Sequence, residues 1–264
     1  MVSVCFYFQV HQPFRLKRYS VFDIGHGHHY FDDERNAKEM RKIAQKCYLP
    51  ANATMLALLS DHPQFKIAYS ISGTAIEQMR LWAPEALESF RSLAATGRVE
   101  FLSETYYHSL SWLYDREEFD EQVRKHRLLI KEEFGQEPTV FRNTELIFNN
   151  ELASHISKLG YTGIIADGAD HVLNWRSPNF TYTPVSAPGI KVLLKNYRLS
   201  DDIAFRFSER SWKEWPLTAP KFANWAAAIN GNGNLLNLFM DYETFGEHQW
   251  ESTGIFDFLR ALPA

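Results

Sequence analysis

The chain has 264 residues and a formal net charge of −4, enough length for one barrel-sized core and none of the basic excess on which nucleic-acid binding rests. No apolar run approaches the roughly 18 residues of a membrane span, and Cys5 and Cys47 are too few for a disulfide framework. With no signal-peptide pattern in MVSVCFYFQVHQPF, the expectation is one domain over residues 1–264, cytoplasmic, with a neutral or weakly charged ligand and neither nucleic acid nor membrane as partner.

The chain alternates strand-like and helix-like segments. A β-rich stretch at 2–10 precedes an irregular Gly/His/Tyr segment to Asp33, then helical patterns at 35–48 and 54–63. A strand at 65–72 leads into a helical run at 74–97 broken at Pro84, and a strand at 98–104 leads into the clearest amphipathic helix, 117–135. That helix carries Phe119, Val123, Leu129, Ile130 and Phe134 on or near one face and stops at Gly135. Strands at 139–143, 163–167 and 190–196, helices at 149–160 and 220–230, and a last strand at 235–241 complete the series. Ile255, Phe256, Phe258, Leu259 and Leu262 then mark a short amphipathic helix packing on the barrel. Seven strands alternating with helices predict an α/β fold with a parallel sheet.

Parallel strands joined by helices gather their ligands at the carboxyl ends of the strands. Those ends are polar here: His11-Gln12-Pro13, Ser103-Glu104-Thr105, Asn143-Thr144-Glu145, Asp167, Asn196 and Asp241. Strand alternation puts Cys5, Tyr7 and Gln9 on the face of His11, Phe141 and Asn143 on that of Glu145, and Asn237 and Phe239 on that of Asp241. A face with Gln9, Asn143 and Asn237 reads as a lined site rather than a plain core.

HQPF (11–14), GRVEFLSETYYHSL (97–110), FRNTELIF (141–148) and MDYETFGEHQW (240–250), in this order and spacing, resemble the first four motif regions of glycoside hydrolase family 57. The resemblance implies an incomplete seven-stranded (β/α)7 barrel and retaining, α-amylase-like hydrolysis of α-1,4-glucans, with no cofactor or metal and an α-glucan or maltooligosaccharide as substrate. It also implies Glu145 as nucleophile and Asp241 as acid/base. The chemistry asks for two carboxyl groups about 5–5.5 Å apart, one ionised for attack and one holding a proton for the leaving oxygen. Asp241 would keep that proton through burial or the charge of Glu145.

The same resemblance makes His11 a sugar contact, and Glu104, Tyr107 and His108 candidates from a second motif whose SETYYHS departs from the commoner form. Arg206, with Asp202, is a candidate for balancing the carboxylate charge. Trp212, Trp175 and Trp215 are candidate sugar platforms in a chain with 15% aromatic residues, and Glu243 and His248 would orient Asp241 or line the cleft.

Three alternatives remain open. A 4-α-glucanotransferase would use the same two carboxyls. A metal-dependent polysaccharide deacetylase would draw on His26, His28 and His29 with Asp32 or Asp33, although its Asp-Asp pair after the first strand and its helical His pair are not in the sequence. A noncatalytic glucan-binding protein would keep the fold alone. The resemblance further implies a helical region beyond the barrel, whereas this sequence stops at GIFDFLRALPA. An open cleft, weak or absent catalysis and exposed apolar surface are therefore expected, with that patch a candidate surface for self-association.

Overall fold

The computed structural model describes residues 2–263. Strand β1 (Ser3–Val10) leads into a loop folded back on itself through a bridge between Leu16 and Phe31. Helix α1 (Asp33–Ile43), N-capped by the Asp32 side chain, runs through a π-helical turn at Ala44–Tyr48 directly into α2 (Leu49–Asp61). The sequence suggests two separate helices here. The run is continuous because Pro50, which has no N–H to donate, falls in the first turn after the π segment.

After β2 (Ile67–Ile71), α3 (Gly73–Trp82) and α4 (Pro84–Ala95) part at Pro84 as expected. Strand β3 (Val99–Phe101) is followed by α5 (Ser111–Tyr114) and α6 (Arg116–Phe134), which Gly135 ends in the left-handed conformation at φ 66°. Then come β4 (Val140–Arg142), α7 (Asn150–Lys158), β5 (Gly163–Asp167), α8 (Asp170–Leu173), β6 (Lys191–Lys195) and α9 (Tyr197–Ala204). Helix α10 (Ala219–Ala227), β7 (Leu235–Asp241) and α11 (Ile255–Ala261) close the chain. The sequence pattern does not announce α5, α8 or α9, which are too short to show a helical period.

The strands form one parallel sheet ordered β3-β2-β1-β7-β6-β5-β4, an incomplete (β/α)7 barrel. Pairing is thin at two seams. Between β3 and β4 it is a single bridge, Ser103 to Phe141, made by Ser103 N–H to Val140 O at 3.0 Å and Arg142 N–H to Ser103 O at 2.8 Å. Between β6 and β7 the register is Lys195 opposite Asn237. The hydrophobic cores divide near the same lines: α1–α4 and α9–α11 supply a core against β1, β2, β3 and β7, and a second one lies against β4–β6. Helix α6 bridges the first seam, with Phe119 and Val123 in one core and Leu129, Ile130 and Phe134 in the other.

A small third cluster, Tyr7, Leu102, Leu146, Ile165 and Phe239, fills the barrel interior, with the Tyr7 and Phe239 rings stacked at 4.8 Å. This corrects the strand alternation expected at β4. Phe141 points outward into the helical core, and Val140 and Arg142 face the interior. At β1 and β7 the alternation holds, since Tyr7 and Phe239 point inward and Gln9 and Asp241 line the cavity above them.

An apolar groove lined by Val2, Val4, Phe6, Phe65, Phe222 and Leu262 lies at the opposite, amino end of β1. Among the described residues no helix is long and apolar enough to cross a membrane, and Cys5 and Cys47 are free thiols.

Candidate active site

At the carboxyl ends of the strands a cavity of about 260 Å³ is lined by Gln9, Arg142, Glu145, Phe239, Asp241 and His248, among others. Asp241 reaches it as the last residue of β7, where side-chain alternation carries it inward. Glu145 reaches it differently. After β4 the chain enters a tight turn in which Glu145 (φ 54°, ψ 25°) and Leu146 (φ 56°) adopt left-handed backbone conformations. The turn is held by Leu146 N–H to Asn143 O, by the Asn143 amide to Ile147 O, and by the Thr144 and Thr105 hydroxyls at 2.9 Å. It drops the Leu146 side chain into the barrel interior and leaves Glu145 exposed above it.

Behind Glu145 stands a third residue of the same unusual backbone class, His108 (φ 53°). Its Nε2 lies 3.1 Å from Glu145 Oε1, and its Nδ1 faces Glu104 Oε2 at 3.1 Å and Arg142 Nη1 at 3.2 Å. Three of the four non-glycine residues at positive φ among those described thus sit in this one constellation, where strain is tolerated because several bonds over-determine each position.

Glu104 itself is fully buried and takes the Arg142 guanidinium at 3.3 Å. Burial alone would raise its carboxyl; the hydrogen bond with His108 and the Arg142 charge overcome that and bring it down to about 2. His126, buried on α6, accepts the Glu104 backbone N–H at Nδ1 and therefore offers Nε2–H to Ile71 O at 2.8 Å, which fixes a neutral tautomer.

His11 directly follows β1 and stacks its ring on His108 at 4.1 Å, with Nδ1 against the Ser72 hydroxyl at 2.8 Å. Burial, and then the neighbouring His108, lower it to about 4. It is a neutral imidazole near pH 7 and suits hydrogen bonding to an uncharged hydroxyl.

The sequence-derived candidates therefore fall into three groups. Glu145, Asp241 and His248 line one cavity; His11, Tyr107 and His108 line the adjoining one, with His108 reaching Glu145. Glu104 and Glu243 lie beneath the surface, where direct contact with a ligand is not available. Glu243 accepts from the Tyr48 hydroxyl at 2.5 Å and from Gln12 at 3.3 Å, and burial pushes it up to about 7. Arg206 and Trp212 are not brought to the carboxyls: they line a separate cavity, Arg206 bound to Asp202 at 2.6 Å and Trp212 packed edge-on to Trp225. Trp175 is 91% exposed and Trp215 partly so.

Of the histidine cluster, His29 pairs with Asp33 at 2.8 Å. Among the described residues no three His, Cys, Asp or Glu side chains converge as metal ligands. The sequence reading missed Arg142, whose signal was a charge inside the strand pattern VFR, and His126, a histidine on the buried face of an amphipathic helix.

The sequence profile of Glycosyl hydrolase family 57 matches residues 5–264. A protein of Methanocaldococcus jannaschii named "Putative alpha-amylase" is 47% identical over 263 residues, which is 98% of this chain and 55% of that protein. Among solved structures, 4-α-glucanotransferase from Thermococcus litoralis superposes with a TM-score of 0.74 at 17% identity, over 100% of this chain and 38% of that one. A branching enzyme of the same family from Pyrococcus horikoshii gives 0.69 at 14% identity, over 98% and 66%. At these identities the two structures speak to the fold, and the chain spans about half the length of the curated relative.

Proposed function

The chain belongs to glycosyl hydrolase family 57, and from that premise we propose that it cleaves α-1,4-glucans by a retaining mechanism, with Glu145 as nucleophile and Asp241 as acid/base. The observation that carries this reading is the meeting of Glu145 and Asp241, from opposite parts of the barrel, in one cavity at the strand carboxyl ends. In the first step a Glu145 oxygen attacks the anomeric carbon, the glycosidic C–O bond breaks, and Asp241 gives its proton to the departing oxygen. In the second, Asp241 takes a proton from water, the water oxygen attacks the same carbon, and Glu145 leaves as carboxylate.

The neighbouring residues have parts in keeping with their positions. His108 holds one Glu145 oxygen and leaves the other free for attack. Glu104 and Arg142 anchor His108 from below; Glu104 acts on the reaction only through it, whereas Arg142 also lines the carboxyl cavity. Neutral His11 is placed to bond a hydroxyl of the sugar beside Glu145.

Maltoheptaose incubated with the protein should give shorter maltooligosaccharides, and Glu145→Gln should remove that activity while the circular dichroism stays unchanged. Equal turnover by wild type and Glu145→Gln would end the assignment. Products longer than maltoheptaose would instead assign the second step to a sugar hydroxyl rather than water, as in a glucanotransferase.

A further inference from the structure

Beside the carboxyl cavity lies a larger open one, of about 850 Å³, whose walls include His11, Phe14, Phe31, Glu77, Trp82 and Tyr107. We propose that it is the binding groove for the glycone part of the substrate, the glucose units on the non-reducing side of the bond cleaved, and that Phe31 and Tyr107 are its stacking platforms. The inference rests on the retaining α-glucanase reading above.

The lining mixes flat apolar faces with a few polar groups, the composition by which carbohydrate-sized ligands are held and oriented. Phe14 packs at a tilt against Phe31 at 4.8 Å and meets Trp82 edge-on at 6.1 Å, giving a continuous aromatic wall, and Thr74, Glu77 and Asp33 offer hydroxyl and carboxylate oxygens along it. Phe31 and Tyr107 are 40% and 46% exposed, open enough for a sugar ring to lie on them.

Both platforms are fixed in advance. Phe31 sits in the backbone bridge to Leu16, next to an Asp32 N–H bonded to Arg15 O at 2.9 Å, and the Arg15 backbone is clamped in turn by the Asn36 amide. Tyr107 takes Lys125 Nζ on its hydroxyl at 2.6 Å, and the same ammonium lies 3.7 Å over the Tyr106 ring, whose hydroxyl is bonded to Glu77 at 2.5 Å. Ligand binding then costs little ordering of these side chains.

Direction follows from the two linings. His108 lines this groove and bonds Glu145, whereas Asp241 and His248 line the neighbouring cavity. In a retaining reaction the glycone stays attached to the nucleophile and the aglycone departs past the acid. A groove reached from the nucleophile's side, with the acid beyond, takes the part that stays.

The test uses the Glu145→Gln chain, so that no substrate is consumed, titrated calorimetrically with maltose and maltoheptaose. Maltoheptaose should bind the more tightly, and adding Phe31→Ala or Tyr107→Ala should cut its advantage over maltose by roughly three- to tenfold, the worth of one aromatic face. Phe31→Trp should restore it. Two variants guard against one that fails to fold, and circular dichroism identifies it.

In the wild-type background, Phe31→Ala should lower kcat/KM for an aryl α-maltotrioside relative to an aryl α-glucoside by a similar factor, because every sugar in those substrates is glycone. An unchanged maltoheptaose-to-maltose ratio in folded variants, or no maltoheptaose binding at all, overturns the groove. Aryl substrates that ignore Phe31 while maltoheptaose binding responds overturn its direction. A wild type that turns over nothing, with Phe31-dependent binding intact, sinks the hydrolase reading and leaves the groove standing.

Discussion

Glu104 and Glu243 show how far side-chain chemistry depends on a few ångströms of depth. Both come from motifs that suggest sugar contacts, and both are buried. Glu104 meets Arg142 and His108 and falls to about 2, whereas burial leaves Glu243, opposite Tyr48 and Gln12, at about 7. The consequences for stability have opposite signs. Between about 2 and the ordinary glutamate value near ~4.3, the unfolded chain holds a proton that folded Glu104 has lost, so its contribution is present above that window and is lost as pH falls through it.

For Glu243, between ~4.3 and about 7, the folded protein holds a proton that the unfolded chain has given up, so its contribution is present at low pH and is lost as pH rises through the window. Glu243→Gln keeps an oxygen for the Tyr48 hydroxyl and cannot ionise. Urea unfolding should therefore show the variant gaining on wild type from pH 5 to pH 8, by up to about 3 kcal/mol; a constant difference across that range would contradict the protonated carboxyl. The motif pattern marks both residues as site candidates, but depth depends on which helix covers them, which the local sequence does not carry.

Among elements, β3 shows how the open seam is managed. Its edge toward β4 would leave the Phe101 N–H and the Val99 carbonyl unpaired below the Ser103 bridge, and the Gln136 side chain takes both, accepting the first at 3.1 Å and donating to the second at 2.8 Å. One amide thus stands in for a missing strand neighbour. Gln136→Ala should cost about 1–2 kcal/mol in thermal or urea unfolding and speed hydrogen exchange of the Phe101 amide in particular; a stability loss with that amide still protected would contradict the role.

The strands themselves were legible in the sequence, since alternating or continuous apolar runs bounded by turn residues mark all seven. The inward face of β4 was not. Counting alternate residues back from Glu145 selects Phe141, but the left-handed turn at Glu145 and Leu146 breaks the alternation and lets Arg142 face the cavity instead. Similarly, the apolar positions of α6 read as a single stripe, although that stripe serves two cores.

The whole molecule is a barrel of two unequal parts, β3-β2-β1-β7 and β6-β5-β4, joined at two thin seams. At the second seam α9 and its N-cap complete the bonding: Asn196 N–H reaches Asn237 O at 2.8 Å, and the Ser200 hydroxyl accepts the Phe239 N–H at 3.1 Å. Asp241 belongs to the larger part and Glu145 to the smaller. The site therefore exists only when both parts are in register, and the bonds from His108 and Arg142 across the first seam hold the smaller part's carboxylate in place.

Alternation of strands and helices announced the barrel, while the seams, which depend on pairings between distant segments, left no mark in any local pattern. Glu145 is the proposed attacking group at this junction. A 5-fluoro-glycosyl fluoride of the α-gluco series, incubated with the protein and followed by peptide mass mapping, tests that directly. One covalent glycosyl adduct is expected, on the carboxyl of Glu145, absent in Glu145→Gln and undiminished by EDTA; an adduct on Asp241 or elsewhere, or no adduct in a preparation that cleaves maltoheptaose, would rule out Glu145 as the nucleophile.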